Sequence, residues 1–318
     1  MKMSENRSTS ARDGAVERME QEVSRSFLGS PRAVRLALCA LFGGGHLLLE
    51  GPPGVAKTTL AKAIADAGGC AFKRIQMTPD LLPADITGAF ILDPRTGNFS
   101  LRKGPVFTQT LLADELNRAT PRTQSALLEA MQEGAVTIEG ETYALPEPFF
   151  VIATQNPSEY SGTYPLPEAQ LDRFMLRVRL NYPEAEVEKA MLDRYLRSVE
   201  GTRAILSPEL ILQFREKVRQ IHIEPELLDY LVRISNDTRT HRTIALGASP
   251  RASLALAEAA RAWAYLDGRD FVLPDDFAEL LEPVFAHRLI LRPEAELEGF
   301  SAERVLEEIK KSIPIRAR

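Results

Sequence analysis

The sequence is poor in cysteine, in long apolar runs and in net positive charge, and each shortage excludes a class of protein. Two cysteines in 318 residues, Cys39 and Cys70, provide no disulfide framework and indicate a reducing compartment, so we expect a cytoplasmic location. No run approaches the ~18 consecutive apolar residues that a membrane-spanning helix needs. The polar first residues lack the apolar segment of a secretory signal. The net charge of −5 provides no basic field, which argues against nucleic acid as a partner.

Internal repeats and metal-ligand spacings are also missing. No segment of about 20–50 residues recurs along the chain, which argues against a solenoid. The histidines are scattered without the spacing of a zinc site, so we expect no protein-ligated structural metal: His46, His222, His241 and His287. The composition that remains, 44% hydrophobic and 26% charged, is that of a globular protein with a large core. This length favours two domains, or one domain with an additional lobe.

Hydrophobic patterning predicts an α/β core in the first half of the chain. Short apolar runs typical of buried strands lie at residues 46–50, 72–77, 109–113, 149–154 and 175–180. Helix-like segments lie between them at residues 57–67, 121–133 and 168–174. Strands that alternate with helices predict a parallel sheet with helices on both faces. Turn-centred pairs of short runs predict two inserted β-hairpins, at residues 89–101 and 135–145.

The pattern changes after Pro183, where the helical period dominates. Five helices are predicted at residues 184–196, 208–221, 225–235, 250–265 and 274–289, several of them beginning with proline. We therefore predict three parts: a disordered tail over residues 1–13, an α/β core over residues 14–182, and an all-helical lid domain over residues 183–318.

A glycine-rich loop lies between the first predicted strand and the first predicted helix. Its residues fit the phosphate-loop pattern G-x-x-x-x-G-K-[ST], except that alanine replaces the pattern's second glycine, directly before the lysine: Gly51, Pro52, Pro53, Gly54, Val55, Ala56, Lys57 and Thr58, followed by Thr59. Backbone N–H groups of such a loop hold phosphate oxygens. Lys57 would reach the β- and γ-phosphates of ATP, and the Thr58 hydroxyl would bind Mg²⁺. Because a Cβ disfavours positive φ, we expect Ala56 to have a negative φ. The alternative is a plain turn between strand and helix.

Two adjacent carboxylates, Asp114 and Glu115, end another apolar run. In phosphate-loop enzymes an aspartate at a strand end holds magnesium. The neighbouring glutamate can orient or deprotonate the attacking water. An ordinary strand that leads into solvent can end in the same way. The pair therefore indicates a magnesium and catalytic site only in combination with the phosphate loop.

The sequence around the acidic pair closely resembles the MoxR branch of the AAA+ ATPases. The resemblance covers roughly residues 27 to 290, and its most specific strings are DELNRA at 114–119, QSALLEAMQE at 124–133, TQNP at 154–157 and LPEAQLDRF at 166–174. It implies a phosphate-loop core with a parallel sheet, followed by a helical lid. It also accounts for both hairpins, since this clade carries one in the second core helix and one before the sensor-1 strand.

The resemblance assigns roles to three further residues. It makes Asn156 the sensor-1 residue, although Asn-Pro after a strand is also a common turn. It makes Arg251 the sensor-2 arginine of the lid, in the first turn of a helix that begins at Ser249-Pro250, where the alternative is a solvated surface arginine. It makes Arg173 the arginine finger that serves a neighbouring subunit. The alternative for Arg173 is a cation at a helix C-terminus, paired with Asp172.

The resemblance also implies an activity and partners. We expect Mg²⁺-dependent ATP hydrolysis in a homo-oligomeric ring, a hexamer, that remodels or assembles partner proteins, including a partner with a von Willebrand factor A domain. The main alternative is the motor subunit of a metal-chelatase-type complex. A nucleic-acid motor is disfavoured by the net charge, and a small-molecule kinase by the lid and trans arginines.

Overall fold

The computed structural model describes residues 2–92, 94–95, 97–156, 162–196 and 201–312. In chain order, the elements of the first half are α1 Lys2–Ser26, α2 Pro31–Phe42, β1 Leu47–Glu50, α3 Lys57–Ala67, β2 Phe72–Gln76, α4 Pro83–Thr87, β3 Gly88–Leu92, β4 Phe99–Lys103, β5 Thr110–Asp114, α5 Pro121–Glu133, β6 Ala135–Ile138, β7 Glu141–Ala144, β8 Phe150–Gln155, α6 Glu168–Leu171 and β9 Leu176–Arg179. Those of the second half are α7 Ala185–Leu196, α8 Pro208–Arg219, α9 Pro225–Thr240, β10 Ile244–Leu246, α10 Pro250–Leu266, α11 Pro274–Phe285, β11 Ile290–Leu291, α12 Pro293–Leu297 and α13 Ala302–Ser312.

Five parallel strands form the central sheet in the order β2-β5-β8-β1-β9. These are the five predicted strands, with ends that differ by a residue or two, so the prediction of a parallel α/β core is confirmed. Successive side chains of β1 pack on opposite faces of the sheet. Leu47 and Leu49 join a core shared with α1, α2 and the lid, and Leu48 joins a second core with α5 and β6. Both faces are therefore covered, as a continuous apolar strand requires.

Both predicted hairpins are present, outside the central sheet. Strand β3 pairs with β4, and β6 pairs with β7, in antiparallel registers. The second hairpin turns at Glu139 and Gly140, whose φ values of 50° and 85° are those of a type I′ turn. This tight turn fixes the register of the two short strands.

The lid is helical, as predicted, but it contains elements that the sequence did not reveal. A short antiparallel pair, β10 with β11, lies among the helices, and α13 packs against α9 and α11. The predicted helix over 274–289 is α11 followed by a 3₁₀ turn, Ala286–Arg288.

The N-terminal region differs from the prediction. Helix α1 begins at Lys2, so the backbone of residues 2–13, predicted as a disordered tail, continues a helix. The buried side chains of Val16, Met19 and Val23 recur at helical spacing and anchor α1 on the core. The division of the chain at residues 13 and 182 stays a prediction. Within the described residues, no helix is long and apolar enough to cross a bilayer.

His46 lies buried where β1 begins, and both of its ring nitrogens are bonded. Val151 donates its backbone N–H to Nδ1 at 3.1 Å, and Nε2 lies 3.0 Å from the Met131 carbonyl. The neutral ring satisfies both contacts, with Nε2 as the donor. Burial lowers the pKa of His46 to about 4, and it lowers the pKa of His287 well below the ordinary value.

Acidification is therefore expected to lower the free energy of unfolding. Below the ordinary histidine pKa of 6.5, the unfolded chain takes up protons that the folded chain does not bind. The histidine contribution to the free energy of unfolding is fully present above pH 6.5, and it is lost as the pH falls toward 4. For His46 alone the loss approaches about 3 kcal/mol, at ~1.4 kcal/mol per pH unit over the interval from 6.5 to about 4.

Urea titrations at several pH values between about 7 and 5 measure this slope. His46→Gln keeps an acceptor and a donor but cannot titrate, so its slope should be shallower. His222→Gln is the matched control, because His222 is exposed. Equal slopes for parent and His46→Gln would contradict the expectation.

Candidate functional site

The ends of three adjacent strands bring the predicted site residues to one edge of the sheet. Strand β8 lies between β1, which leads into the phosphate loop, and β5, which ends at Asp114. Asn156 follows β8, and the Gly51 N–H donates to the Gln155 carbonyl at 3.3 Å. Ligands of parallel α/β sheets bind at this carboxyl edge. The structure thus places the loop, the acidic pair and Asn156 together, although they are far apart in sequence.

The lysine of the phosphate loop bonds to backbone carbonyls at the start of the loop and at the end of β8. The Lys57 ammonium donates to the Gly51 carbonyl at 2.6 Å and to the Gln155 carbonyl at 3.3 Å. Lys57 is also the first residue of α3, so the helix N-terminus points toward the space that the loop encloses. A helix N-terminus and a lysine together make this space suitable for phosphate.

Ala56 contradicts the expectation of a negative φ. Its φ is 61° and its ψ is 30°, in the left-handed region, directly before α3. The reason is that the chain must reverse here to enter the helix while still enclosing the loop, and this geometry outweighs the preference of a residue with a Cβ. Left-handed backbone costs a residue with a Cβ about 1–2 kcal/mol.

Ala56→Gly should therefore stabilise the protein. Relief of the strain exceeds the extra backbone entropy that glycine loses on folding, so we expect a gain of about 0.5–1 kcal/mol. Ala190→Gly is the matched control: Ala190 is exposed within α7, where the same change should cost ~1 kcal/mol. Urea midpoints at constant m-value measure both effects. A destabilised Ala56→Gly protein would show that position 56 is not strained.

Thr154 links the side chain of Asp114 to the backbone of Glu115 within the acidic pair. Its buried hydroxyl donates to Asp114 Oδ1 at 2.6 Å and accepts the Glu115 N–H at 2.8 Å. Glu115 has a φ of 57°, another left-handed residue, and such strain is commonly found at functional sites. The sequence did not identify this role, although a buried hydroxyl in the apolar strand before Asn156 is the signal that could have done so.

The outer oxygens of the pair face polar side chains from β2 and the turn after β5. Arg74 donates to Asp114 Oδ2 at 2.6 Å, and Glu115 Oε2 accepts from Gln76 at 2.6 Å and from Arg118 at 2.9 Å. Gln76, the last residue of β2, thus contacts the predicted base. Arg74 and Arg118 were missed because only the pairing of β2 with β5 brings Arg74 to the site.

The donor set suits a magnesium ion. The Thr58 hydroxyl and the Asp114 carboxylate are the hard oxygen ligands that Mg²⁺ prefers. A carboxylate offers about four lone-pair positions, so Asp114 keeps acceptor capacity while bonded to Thr154 and Arg74.

A cavity of about 380 Å³ opens beside the phosphate loop. Its walls come from the link between α1 and α2, from the loop, and from the start of the lid: Phe27, Val55, Ala56, Leu180, Tyr182 and Met191. A largely apolar cavity next to a phosphate site fits a nucleobase. Motif reading missed it because its walls come from three separate segments.

The predicted lid arginine lies where the sequence placed it. Arg251 is exposed in the first turn of α10, and the Ser249 hydroxyl caps that helix by accepting the Ala252 N–H at 3.2 Å. The predicted cap is confirmed. Arg288, a buried arginine not noticed in the sequence, lies nearby: burial lowers its pKa, and the charge of Arg251 lowers it further.

Arg173 does not pair with Asp172, contrary to the alternative considered above. It donates to the Leu128 carbonyl of α5 at 2.7 Å, and it forms no ion pair within the part of the chain that the structure describes. Asp172 instead pairs with Arg288 at 2.6 Å. Helix α6 ends at Leu171, earlier than the predicted residue 174. The motif residue Pro157 lies outside the described residues.

Comparison with known proteins agrees with this architecture. The ATPase family associated with various cellular activities (AAA) matches residues 46–176, and the AAA lid domain matches residues 236–309. A crystal structure of a Cytophaga hutchinsonii protein has a TM-score of 0.92 and 39% identity, covering 99% of this chain and 98% of that one.

Three curated relatives align over most of the chain. YeaC of Bacillus subtilis, named an uncharacterized protein, is 45% identical and covers 93% of both chains. Chaperone MoxR1 of Mycobacterium tuberculosis is 41% identical over 94% of this chain and 82% of its own. Protein MoxR of Methylorubrum extorquens is 32% identical over 91% of both. With the AAA core, the lid and the site geometry in agreement, the chain belongs to the MoxR family of AAA+ ATPases.

Proposed function

We propose that the chain hydrolyses ATP with Mg²⁺ at the sheet edge and uses the cycle to remodel, mature or assemble partner proteins. The observation that carries the proposal is the convergence of the phosphate loop, the Thr154-linked acidic pair and Asn156 at the ends of β1, β5 and β8. The chaperone name belongs to the relative MoxR1, and it supports the remodelling role here by similarity.

Each residue of the site has a proposed task. Residues 51–59 hold the triphosphate, with the Lys57 charge facing its outer phosphates. Asp114 and Thr58 hold Mg²⁺, which when bound would offset phosphate charge. Glu115 accepts the proton of the attacking water, which Asn156 orients.

Two further arginines complete the proposed site, one from the lid and one from a neighbouring subunit. Arg251 reaches the phosphates from the lid, and Arg173 serves the nucleotide of a neighbouring subunit in a ring, which we propose to be a hexamer. A cytoplasmic location is supported by the two cysteines, both free and buried.

The first hairpin is the better candidate for a surface that contacts a client or a partner. In the second hairpin Ile138 is 6% exposed and packs in the core below. In the first hairpin the paired residues Leu92 and Phe99 are 48% and 69% exposed. The difference arises because the inner face of the second hairpin, which carries Ile138, packs against the core.

Leu92→Ser/Phe99→Ser tests this role. Both side chains are exposed, so the variant should keep basal ATP turnover and lose client work. Leu297→Ser is the matched control, since Leu297 is 89% exposed on α12. The client assay is ATP-dependent capture by Glu115→Gln protein, followed by mass spectrometry for partners with a von Willebrand factor A domain. Capture that is equal in both variants would refute the assignment of the surface.

Partners of another kind would refute the remodelling role itself. ATP turnover stimulated by DNA would point to a nucleic-acid motor, and dependence of metal insertion into a cofactor on this ATPase would point to a chelatase-type motor.

A further inference from the structure

The segment that carries Arg173 is held by the lid of the same subunit. Arg288, in the 3₁₀ turn after α11, is 4% exposed. It donates to Asp172 Oδ1 at 2.6 Å, to the Asp172 carbonyl at 3.3 Å, to the Phe174 carbonyl at 2.7 Å and to the Met175 carbonyl at 3.2 Å. Its guanidinium also donates to the Val284 carbonyl. Its donors are therefore spent mainly on the residues that flank Arg173.

The other oxygen of Asp172 is bonded to the helix that begins beside Arg251. Ser249 donates its hydroxyl to Asp172 Oδ2 at 3.0 Å while it caps α10. Asp172 thus connects two parts of the lid, the start of α10 and the turn after α11, to the backbone of its neighbour Arg173.

We call the bonds of Arg288 and Ser249 to residues 172–174 the backbone clamp. Apart from this clamp, few contacts hold the side chain of Arg173. One nitrogen donates to the Leu128 carbonyl, and its buried Nε finds no hydrogen-bond partner among the residues that the structure describes. The direction of its side chain therefore depends on where the backbone at residues 172–174 is fixed, and the clamp sets that position.

We infer that Asp172, held by Arg288 and Ser249, is a positioning residue that makes the place of Arg173 depend on the lid of its own subunit. The inference rests on the proposed role of Arg173 as a trans-acting arginine. A lid displaced at α10 would pull on Asp172 through Ser249. Arg173, which acts on the nucleotide of the neighbouring subunit, would then move with Asp172. The position of the lid in one subunit would thereby change ATP hydrolysis in the next subunit.

Mixed rings isolate this effect. A donor subunit carries Glu115→Gln and keeps Arg173, and an acceptor subunit carries Arg173→Ala and keeps Glu115. In a mixture, hydrolysis occurs only where an acceptor site meets a donor arginine. We expect Asp172→Asn in the donor to lower kcat at least ~10-fold, toward the ~100-fold loss that a misplacement of about 1 Å can cause. The KM for ATP should stay unchanged, because the nucleotide is bound by the unaltered acceptor.

The same substitution in the acceptor is the decisive comparison. The acceptor has no Arg173 to position, so Asp172→Asn should leave its activity unchanged there. A merely structural role would lower activity in both arrangements. Equal loss in both, or no loss in the donor, would overturn the inference.

Two further variants control for folding. Arg269→Gln breaks another lid ion pair, Arg269 with buried Asp276 at 2.6 Å, and should leave activity unchanged when placed in the donor. Arg288→Lys keeps the charge but cannot bond all the flanking groups at once, so it should reproduce the loss if Asp172→Asn does not assemble. Donor and acceptor without any change at Asp172 test the trans role of Arg173 separately. If they form rings that stay inactive, the trans role fails, and this result is distinct from failure of the positioning role.

Discussion

Glu115→Gln is expected to abolish ATP turnover while ATP binding is preserved. Glutamine has nearly the same shape, and its carbonyl oxygen can accept the bonds from Gln76 and Arg118 that the carboxylate accepts now. It cannot take a proton from water, and a positioned base contributes about 10²–10⁴-fold. We therefore expect kcat to fall by about 10²–10⁴-fold.

Binding should survive because the groups proposed to hold ATP are separate from Glu115. Lys57 and Thr58 are untouched by the substitution, Lys57 keeps its bond to the Gly51 carbonyl, and Asp114 remains bonded to Thr154. Lys57→Ala is the contrasting variant, and it should weaken binding itself, since it removes the charge that faces the phosphates.

Equilibrium binding of a fluorescent ATP analogue and steady-state phosphate release measure the two properties separately. Glu129→Gln is the matched control, because Glu129 is an exposed carboxylate of α5. Turnover of Glu115→Gln near the parent rate would show that the base is another group.

The sequence predicted the strands well because their burial on both faces leaves a local signature. Leu47, Leu48 and Leu49 are all fully buried, so β1 could be read as a continuous apolar run. Helices α3 and α5 begin and end at the predicted residues. The phosphate loop marks the start of α3, and Pro121 marks the start of α5.

Contacts between distant segments were not predictable in this way. Thr154 and Arg74 reach the acidic pair only through the strand order of the sheet, and Arg288 reaches Asp172 from 116 residues away. Local propensity also misjudged Ala56, where the phosphate loop imposes a φ of 61° against the preference of the residue. The burial of Ile138 was not predictable either, because period-two alternation does not say which face of a hairpin is buried.

Arg173→Ala should bind ATP but hardly hydrolyse it, because the catalytic site is expected to be shared between subunits. Charge on the transferred phosphoryl group is only partly offset by Lys57 and Mg²⁺, and an added arginine contributes ~10³–10⁵-fold in phosphoryl-transfer enzymes. Within its own chain Arg173 donates to the Leu128 carbonyl of α5, and the described residues provide it with no carboxylate. This arrangement leaves the charge available to a phosphate of another subunit.

Complementation tests the trans assignment. Arg173→Ala and Glu115→Gln should each be nearly inactive alone, and a mixture should recover part of the parent rate, because one type of interface then combines an intact Glu115 with a neighbour's intact Arg173. Head-to-tail interfaces of this kind close into rings when the rotation permits. Arg219→Ala, which removes an exposed arginine of α8, is the matched control and should stay active alone. Native mass spectrometry must show that mixed rings form with ATP. Rings that form and remain inactive would refute the trans role, as would a protein that is monomeric with ATP and fully active at high dilution.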